Sequence, residues 1–164
     1  MTAADDTIFR FLVEHSPDGH FVAIEGEFVY LNHSARRMFG HDEGSEPNLA
    51  VRDILHASEH ERGLRNVALR ASGVLRGATT YLATRRDGTA FPIEVHAAPL
   101  DWKGKRGIHG VIRDITARRK MEERLEEMER SSMVARLASG IAHDFNNLLT
   151  AVLGNLALAK LRSE

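Results

Sequence analysis

The sequence predicts an α+β fold: a five-stranded antiparallel sheet with a helical middle, followed by a long helix. Three observations predict it. Short apolar stretches fall into two groups, two strands before a helical middle and three after it, a pattern that suits an antiparallel sheet rather than a doubly wound parallel one. Turn residues punctuate the chain as far as about Arg113; beyond that point the 164 residues contain no further proline and only two more glycines. That glycine-poor tail carries charge-rich heptads, the pattern of helices that pair along a seam. The composition shift sets the expected boundaries: residues 1–116 form one domain, 117–132 a connecting coiled coil, and 133–164 the start of a second helical domain.

The elements of the first domain follow in order. Ile8, Phe11 and Leu12 recur at helical spacing over Thr7 to His15. Ser16-Pro17-Asp18-Gly19 makes a turn, since proline presets φ and the short polar side chains bond their own backbone. His20 to Ile24 and Phe28 to Leu31 read as two strands joined through Glu25-Gly26-Glu27, a hairpin signal. Asn32 is placed to cap a helix over His33 to Phe39, with Gly40 as its stop. A loop rich in Gly, Ser, Glu and Pro (His41 to Asn48) leads to short helical turns, and Ala57 to Ala71 reads as a longer helix ending before Ser72-Gly73. Three strands complete the domain, over about Gly77 to Arg85, Ala90 to Leu100 and Lys105 to Ile115. Arg86-Asp87-Gly88 and Trp102-Lys103-Gly104 connect them tightly.

The tail has two seams. Met121, Leu125 and Met128 recur by four and three in a helix that is otherwise charged, and Glu126 and Arg130 stand at a favourable ion-pair spacing. A stripe that narrow suits a dimer seam; the alternative is a solvated single helix. Further on, Val134, Ala138, Ile141, Phe145, Leu148, Val152 and Asn155 form a second seam, apolar at all but its last position. The two registers differ by one residue across Ser131-Ser132, which marks a place where two helix rotations compete. In the second seam His143 falls at heptad position f, open to solvent. Asp144 follows it and can hydrogen-bond the imidazole or take up its proton, and Asn147 shares its face one turn on, able to orient a water or a phosphate oxygen. By itself a histidine on a helix surface implies no chemistry, and this chain has nine of them.

Composition narrows the functional classes. A hydrophobic content of 43%, a charged content of 27% and a net charge of −1 give no global attraction to nucleic acid or to an acidic membrane. No stretch approaches a membrane span, and the first residues lack the regions of a signal peptide, so a cytoplasmic location is expected. The chain has no cysteine, which excludes disulfides, thiolate metal sites and cofactors attached through sulfur.

Residues from about Thr7 to Thr116 resemble a PAS sensor domain. The resemblance is carried by Ser16-Pro-Asp-Gly19, by Val29-Tyr-Leu-Asn-His-Ser-Ala-Arg-Arg-Met-Phe-Gly40, by Arg86-Asp-Gly-Thr-Ala-Phe-Pro-Ile-Glu94 and by Val111-Ile-Arg-Asp-Ile-Thr116. It implies that Asn32, Asp114 and Thr116 hold a signalling joint between the sheet and the outgoing helix; as structural caps they do the same thing. Residues from about Met133 to Lys160 resemble the H-box of the dimerisation and histidine-phosphotransfer domain of sensor histidine kinases, in the branch that reads His-Asp-Phe-Asn-Asn. That resemblance implies that His143 is the phosphoacceptor, Asp144 its acidic partner in transfer, and Asn147 a group that positions water when the cognate response regulator is dephosphorylated. Many H-boxes have proline where this chain has Leu148, so no proline kink is expected there.

Taken together, the two resemblances imply the sensor region and phosphoacceptor helix of a two-component histidine kinase, acting as a homodimer through the PAS domain and the coiled-coil helix. The partner is the receiver domain of a response regulator, and the PAS cavity is open to a small-molecule ligand. ATP and Mg are implied only for an ATP-binding domain, whose glycine-containing boxes do not occur here, so the chain is expected to be an N-terminal piece, inactive alone. Haem and flavin are not expected. The position that ligates haem in oxygen-sensing PAS domains, counted back from Gly73, is Arg62; His56 and His60 read as surface residues. The alternative function is a non-catalytic PAS dimerisation or ligand-sensing module with a remnant H-box.

Overall fold

A computed structural model describes residues 3–41 and 49–133. The chain divides into two compact units, Met1–Ala117 and Arg118–Glu164.

The first unit is built from α1 (Ala3–Glu14), β1 (Gly19–Ile24), β2 (Glu27–Leu31), α2 (His33–Phe39), α3 (Val51–Ile54), a 3-10 turn (Ala57–Glu59), α4 (His60–Ala71), β3 (Ala78–Thr84), β4 (Ala90–Trp102) and β5 (Lys105–Asp114). The strands form one five-stranded sheet in the order β2-β1-β5-β4-β3, antiparallel throughout, as their grouping in the sequence predicts. The last strand in the chain is thus the centre of the sheet. It takes β1 on one side (Phe21 opposite Gly110) and β4 on the other (Ala97 opposite the same Gly110). Glu25-Gly26 and Lys103-Gly104 are two-residue turns with positive φ at both positions, the geometry whose twist matches the flanking strands.

Alternation decides which face is buried. Phe21 and Ala23 of β1, Tyr81 and Ala83 of β3, Phe91 and Ile93 of β4, and Ile108 and Ile112 of β5 point to one side, where they pack under α2, α3 and α4. Phe39 at the end of α2 packs at 5.8 Å on Phe91. Burying side chains of this size stabilises the domain by roughly 1.5–3 kcal/mol each, so this face supplies most of the folding energy.

Four expectations shift. The helix expected over Ala57 to Ala71 is broken, with a 3-10 turn before α4. Its cause lies just upstream. Leu55 bridges to Ala83, and the His56 N–H bonds the Leu82 carbonyl, so the chain is pinned to the edge strand β3 and must turn tightly to leave it. A side-chain nitrogen of His56 accepts from the Ser58 N–H and caps that turn. Strand β4 runs on past Leu100 to Trp102, because its pairing with β5 continues to Trp102 opposite Lys105. Finally, α1 begins at Ala3, before Thr7, and β5 ends at Asp114, before Ile115.

In the second unit residues 118–133 are helical, and helix is also assigned to 116 and 117. Met121, Leu125 and Met128 are exposed along it, and Arg118 pairs with Glu122 one turn on. Among the described residues no helix is long and apolar enough to cross a membrane. The second seam, from Val134 onward, against which the register change across Ser131-Ser132 is defined, and the residues His143, Asp144 and Asn147 lie outside the described residues.

Candidate functional site

Asn32 closes β2 and opens α2, and its side chain uses its full bonding capacity. Its Oδ1 accepts from the Ala35 N–H, the N-cap bond, and from the His20 N–H, both at 2.9 Å. Its Nδ2 donates to the carbonyls of Val13 at 2.7 Å and Asp18 at 3.1 Å. The residue is fully buried. An amide has two acceptor sites and two donor hydrogens, and all four are taken, so one side chain fixes the ends of α1, β1 and α2 together. Glu14 adds to that joint by accepting from the Tyr30 hydroxyl at 2.7 Å and from the His33 N–H at 3.1 Å. Burial and the Glu14 carboxylate together push the Tyr30 phenol well above its ordinary value.

Asp114 and Thr116 stand at the end of the central strand. The Asp114 carboxylate accepts from the Thr116 N–H at 2.8 Å and pairs with Arg85 at 2.6 Å. The Ile115 N–H bonds the Pro92 carbonyl, which fixes the step out of the sheet. Burial pushes the Asp114 carboxyl upward, but the Thr116 and Arg85 donors outweigh it and hold it below the usual carboxylate range. The Thr116 hydroxyl is buried near that carboxylate without a hydrogen bond of ordinary geometry, so the backbone N–H is the contact that fastens Thr116 to Asp114.

Asn32 and Asp114 do not touch; two arms connect them. Arg85, whose guanidinium lies 3.7 Å over the Phe91 ring, donates to the Met38 carbonyl at the far end of the helix that Asn32 caps. The Arg86 N–H bonds the Phe39 carbonyl beside it. On the other side, Asp18, held through its carbonyl by Asn32, grips Arg113 with both carboxylate oxygens. The Arg113 hydrogen bond draws the Asp18 carboxyl downward against the smaller opposing push of burial. Arg85 and the Asp18–Arg113 pair are parts of this joint that sequence reasoning missed. Arg85 immediately precedes the Arg86-Asp87-Gly88 turn, and that adjacency was the available signal.

Beneath α3 and α4 the core encloses a cavity of about 40 Å³, lined by apolar side chains such as Phe28, Ile54 and Ile112, and by Arg70. Arg62, at the position weighed for a haem ligand, pairs with Glu59 at 2.6 Å and lies 4.6 Å over the Tyr81 ring. His60 bonds the Leu55 carbonyl and His56 the Ser58 hydroxyl. Among the described residues no group of three or more His, Cys, Asp or Glu is placed to hold a metal ion.

Comparison with known proteins bears on the first unit and on the chain as a whole. Residues 17–117 match the PAS domain family. The chain is 28% identical over 160 residues to sporulation kinase A of Bacillus subtilis, a match covering 93% of this chain and 25% of that protein. It is 26% identical over 166 residues to the signal transduction histidine-protein kinase AtoS of Escherichia coli, covering 94% of this chain and 25% of that one. The chain therefore spans about a quarter of the length of these relatives. The fold resembles that of the crystallised PAS domain of an HTR-like protein from Haloarcula marismortui, with a TM-score of 0.55, 22% identity, and 70% of this chain and 100% of that one covered.

Proposed function

This chain belongs to the PAS domain family, and on that premise we propose that it is the sensor region and phosphoacceptor helix of a two-component histidine kinase. Its homologues are sensor histidine kinases. The observation that carries the proposal is the extent of those matches. The family match ends at residue 117, whereas the two kinases align over 93% and 94% of the chain. The residues left over are too few to exclude the stretch from His143 to Asn147, wherever the ends of the alignments fall.

In the intact enzyme the His143 imidazole attacks the γ-phosphorus of ATP, the bond to the bridging oxygen breaks, and ADP leaves. Asp144 takes up the imidazole proton or hydrogen-bonds the ring so that a nitrogen lone pair faces the donor. The phosphoryl group then passes to an aspartate on a response-regulator receiver domain, and Asn147 orients the water that later removes it there. ATP and Mg belong to a catalytic domain outside this stretch of chain. Asn32, Asp114 and Thr116 serve as the joint through which the PAS domain biases the outgoing helix. The protein works as a homodimer: Met121, Leu125 and Met128 are exposed on one helix, and Ile8, Phe11 and Leu12 are about 60% exposed on α1, apolar surface that a second copy would cover.

Mixing the chain with a purified histidine-kinase ATP-binding domain and γ-labelled ATP tests the reading. Label on the wild type and none on His143→Gln supports it. No label on either protein supports a non-catalytic PAS module with a remnant H-box.

A further inference from the structure

The chain has no cysteine, so its sulfur chemistry falls on five methionines, and three of these, Met121, Met128 and Met133, stand on the connecting helix. They are 55%, 68% and 66% exposed. Every residue from 117 to 133 is exposed, so nothing among the described residues shields the thioethers. Met38, by contrast, is partly buried against the core of the first unit.

Two of the three lie on the apolar stripe. Met121, Leu125 and Met128 recur by four and then three, which in a paired helix sets Leu125 at position a and both methionines at position d. The next step of four reaches Ser132, so Met133 stands beside the stripe and not on it. Leucine at position d favours a two-stranded coil. Methionine packs there as a flexible apolar chain, but its sulfur also accepts an oxygen atom. The sulfoxide that results is polar and chiral, and its oxygen requires a hydrogen-bond donor when buried. A seam of Leu125 and two methionines from each copy offers no such donor. The apolar contact is short, so each d position carries a large share of it.

We infer that Met121 and Met128 are a reversible oxidation site, at which a peroxide converts the dimer seam to a form that no longer pairs. In the step the thioether sulfur attacks one peroxide oxygen, the S–O bond forms and the O–O bond breaks. The sulfur is oxidised by two electrons, and the second oxygen leaves as water with the peroxide's two protons. The thioethers open fully to solvent when the helices separate, so oxidant draws on the monomer population and holds it there. The inference deepens the homodimer part of the proposed function and rests on it, by naming what regulates that contact. It does not depend on the phosphoacceptor.

The experiment measures the dimer dissociation constant of the full chain by sedimentation equilibrium before and after hydrogen peroxide, with sulfoxides located by peptide mass spectrometry. A double variant, Met121→Leu with Met128→Leu, is treated alongside. It keeps Met38 and Met133, so damage at those residues weakens both proteins equally. The wild-type dissociation constant should rise about tenfold or more on oxidation, and methionine sulfoxide reductase should restore it. The double variant should dimerise before treatment and keep its dissociation constant afterwards. A wild type that is monomeric before oxidation would overturn the homodimer reading and this inference with it. A wild-type dimer unchanged while Met121 and Met128 carry sulfoxides would overturn this inference alone. So would equal weakening of both proteins, or a peroxide dose that oxidises Met133 and leaves Met121 and Met128 intact.

Discussion

At the scale of single residues, Asn32 shows how much one amide decides. Replacing it with alanine leaves two buried N–H groups and two carbonyls without their partner, each an unmet desolvation cost, and removes the N-cap of α2. We expect Asn32→Ala to lower stability by about 3 kcal/mol, read as a shift in urea midpoint. Asp114 carries a pH dependence. Its carboxyl is held below the ordinary range in the folded chain, so its contribution is complete at pH values above the unfolded carboxylate value and is lost as pH falls through the folded one. The stability difference between wild type and Asp114→Asn, about 1 kcal/mol, should therefore be constant from about pH 7 to 5 and shrink below about pH 4. Urea midpoints across that range check it. Both residues were visible in the sequence as caps at strand ends, because short polar side chains beside a change of element have few other uses. Arg85 and Arg70 were harder to see. An arginine reads as solvated, and only the helical spacing from Gly63 through Val67 places Arg70 on the inward face.

At the scale of elements, periodicity carried strands and helices well where one face is buried and the other wet. It did less well where the ends of elements depend on neighbours. The helix break before His60 comes from Leu55 and His56 being tied to β3, a partner far along the chain that no local pattern reveals. Strand β4 extends to Trp102 for a similar reason: two-residue turn chemistry at Lys103-Gly104 lets the hairpin pair to its tip. In the helical tail the stripe of Met121, Leu125 and Met128 is exposed in the single chain, and the homodimer reading assigns it to a partner copy. Leu125→Lys places a charge in that seam in both copies, and we expect the dimer dissociation constant to rise at least about tenfold, measured by sedimentation equilibrium, with the PAS unit still folded.

At the scale of the whole molecule, the sequence order of strands, two then three around a helical middle, allowed an antiparallel sheet to be read directly. The spatial order β2-β1-β5-β4-β3 was less accessible, because it depends on which strand sits beneath the helices. With β5 at the centre, the strand that ends at Asp114 is paired along both edges and has two strands on either side of it. Under the proposed function, that central strand is the mechanical output of the sensor. The proposed function assigns the chemistry it would control to His143, on the strength of its neighbours Asp144 and Asn147 and of the resemblance to an H-box. The most direct test is to locate the phosphate after incubation with ATP and a histidine-kinase ATP-binding domain, by fragmentation mass spectrometry under alkaline conditions. The account predicts a single acid-labile phosphoramidate on His143, the other eight histidines unmodified. A phosphate on another histidine, on a serine or threonine, or on no residue would contradict it.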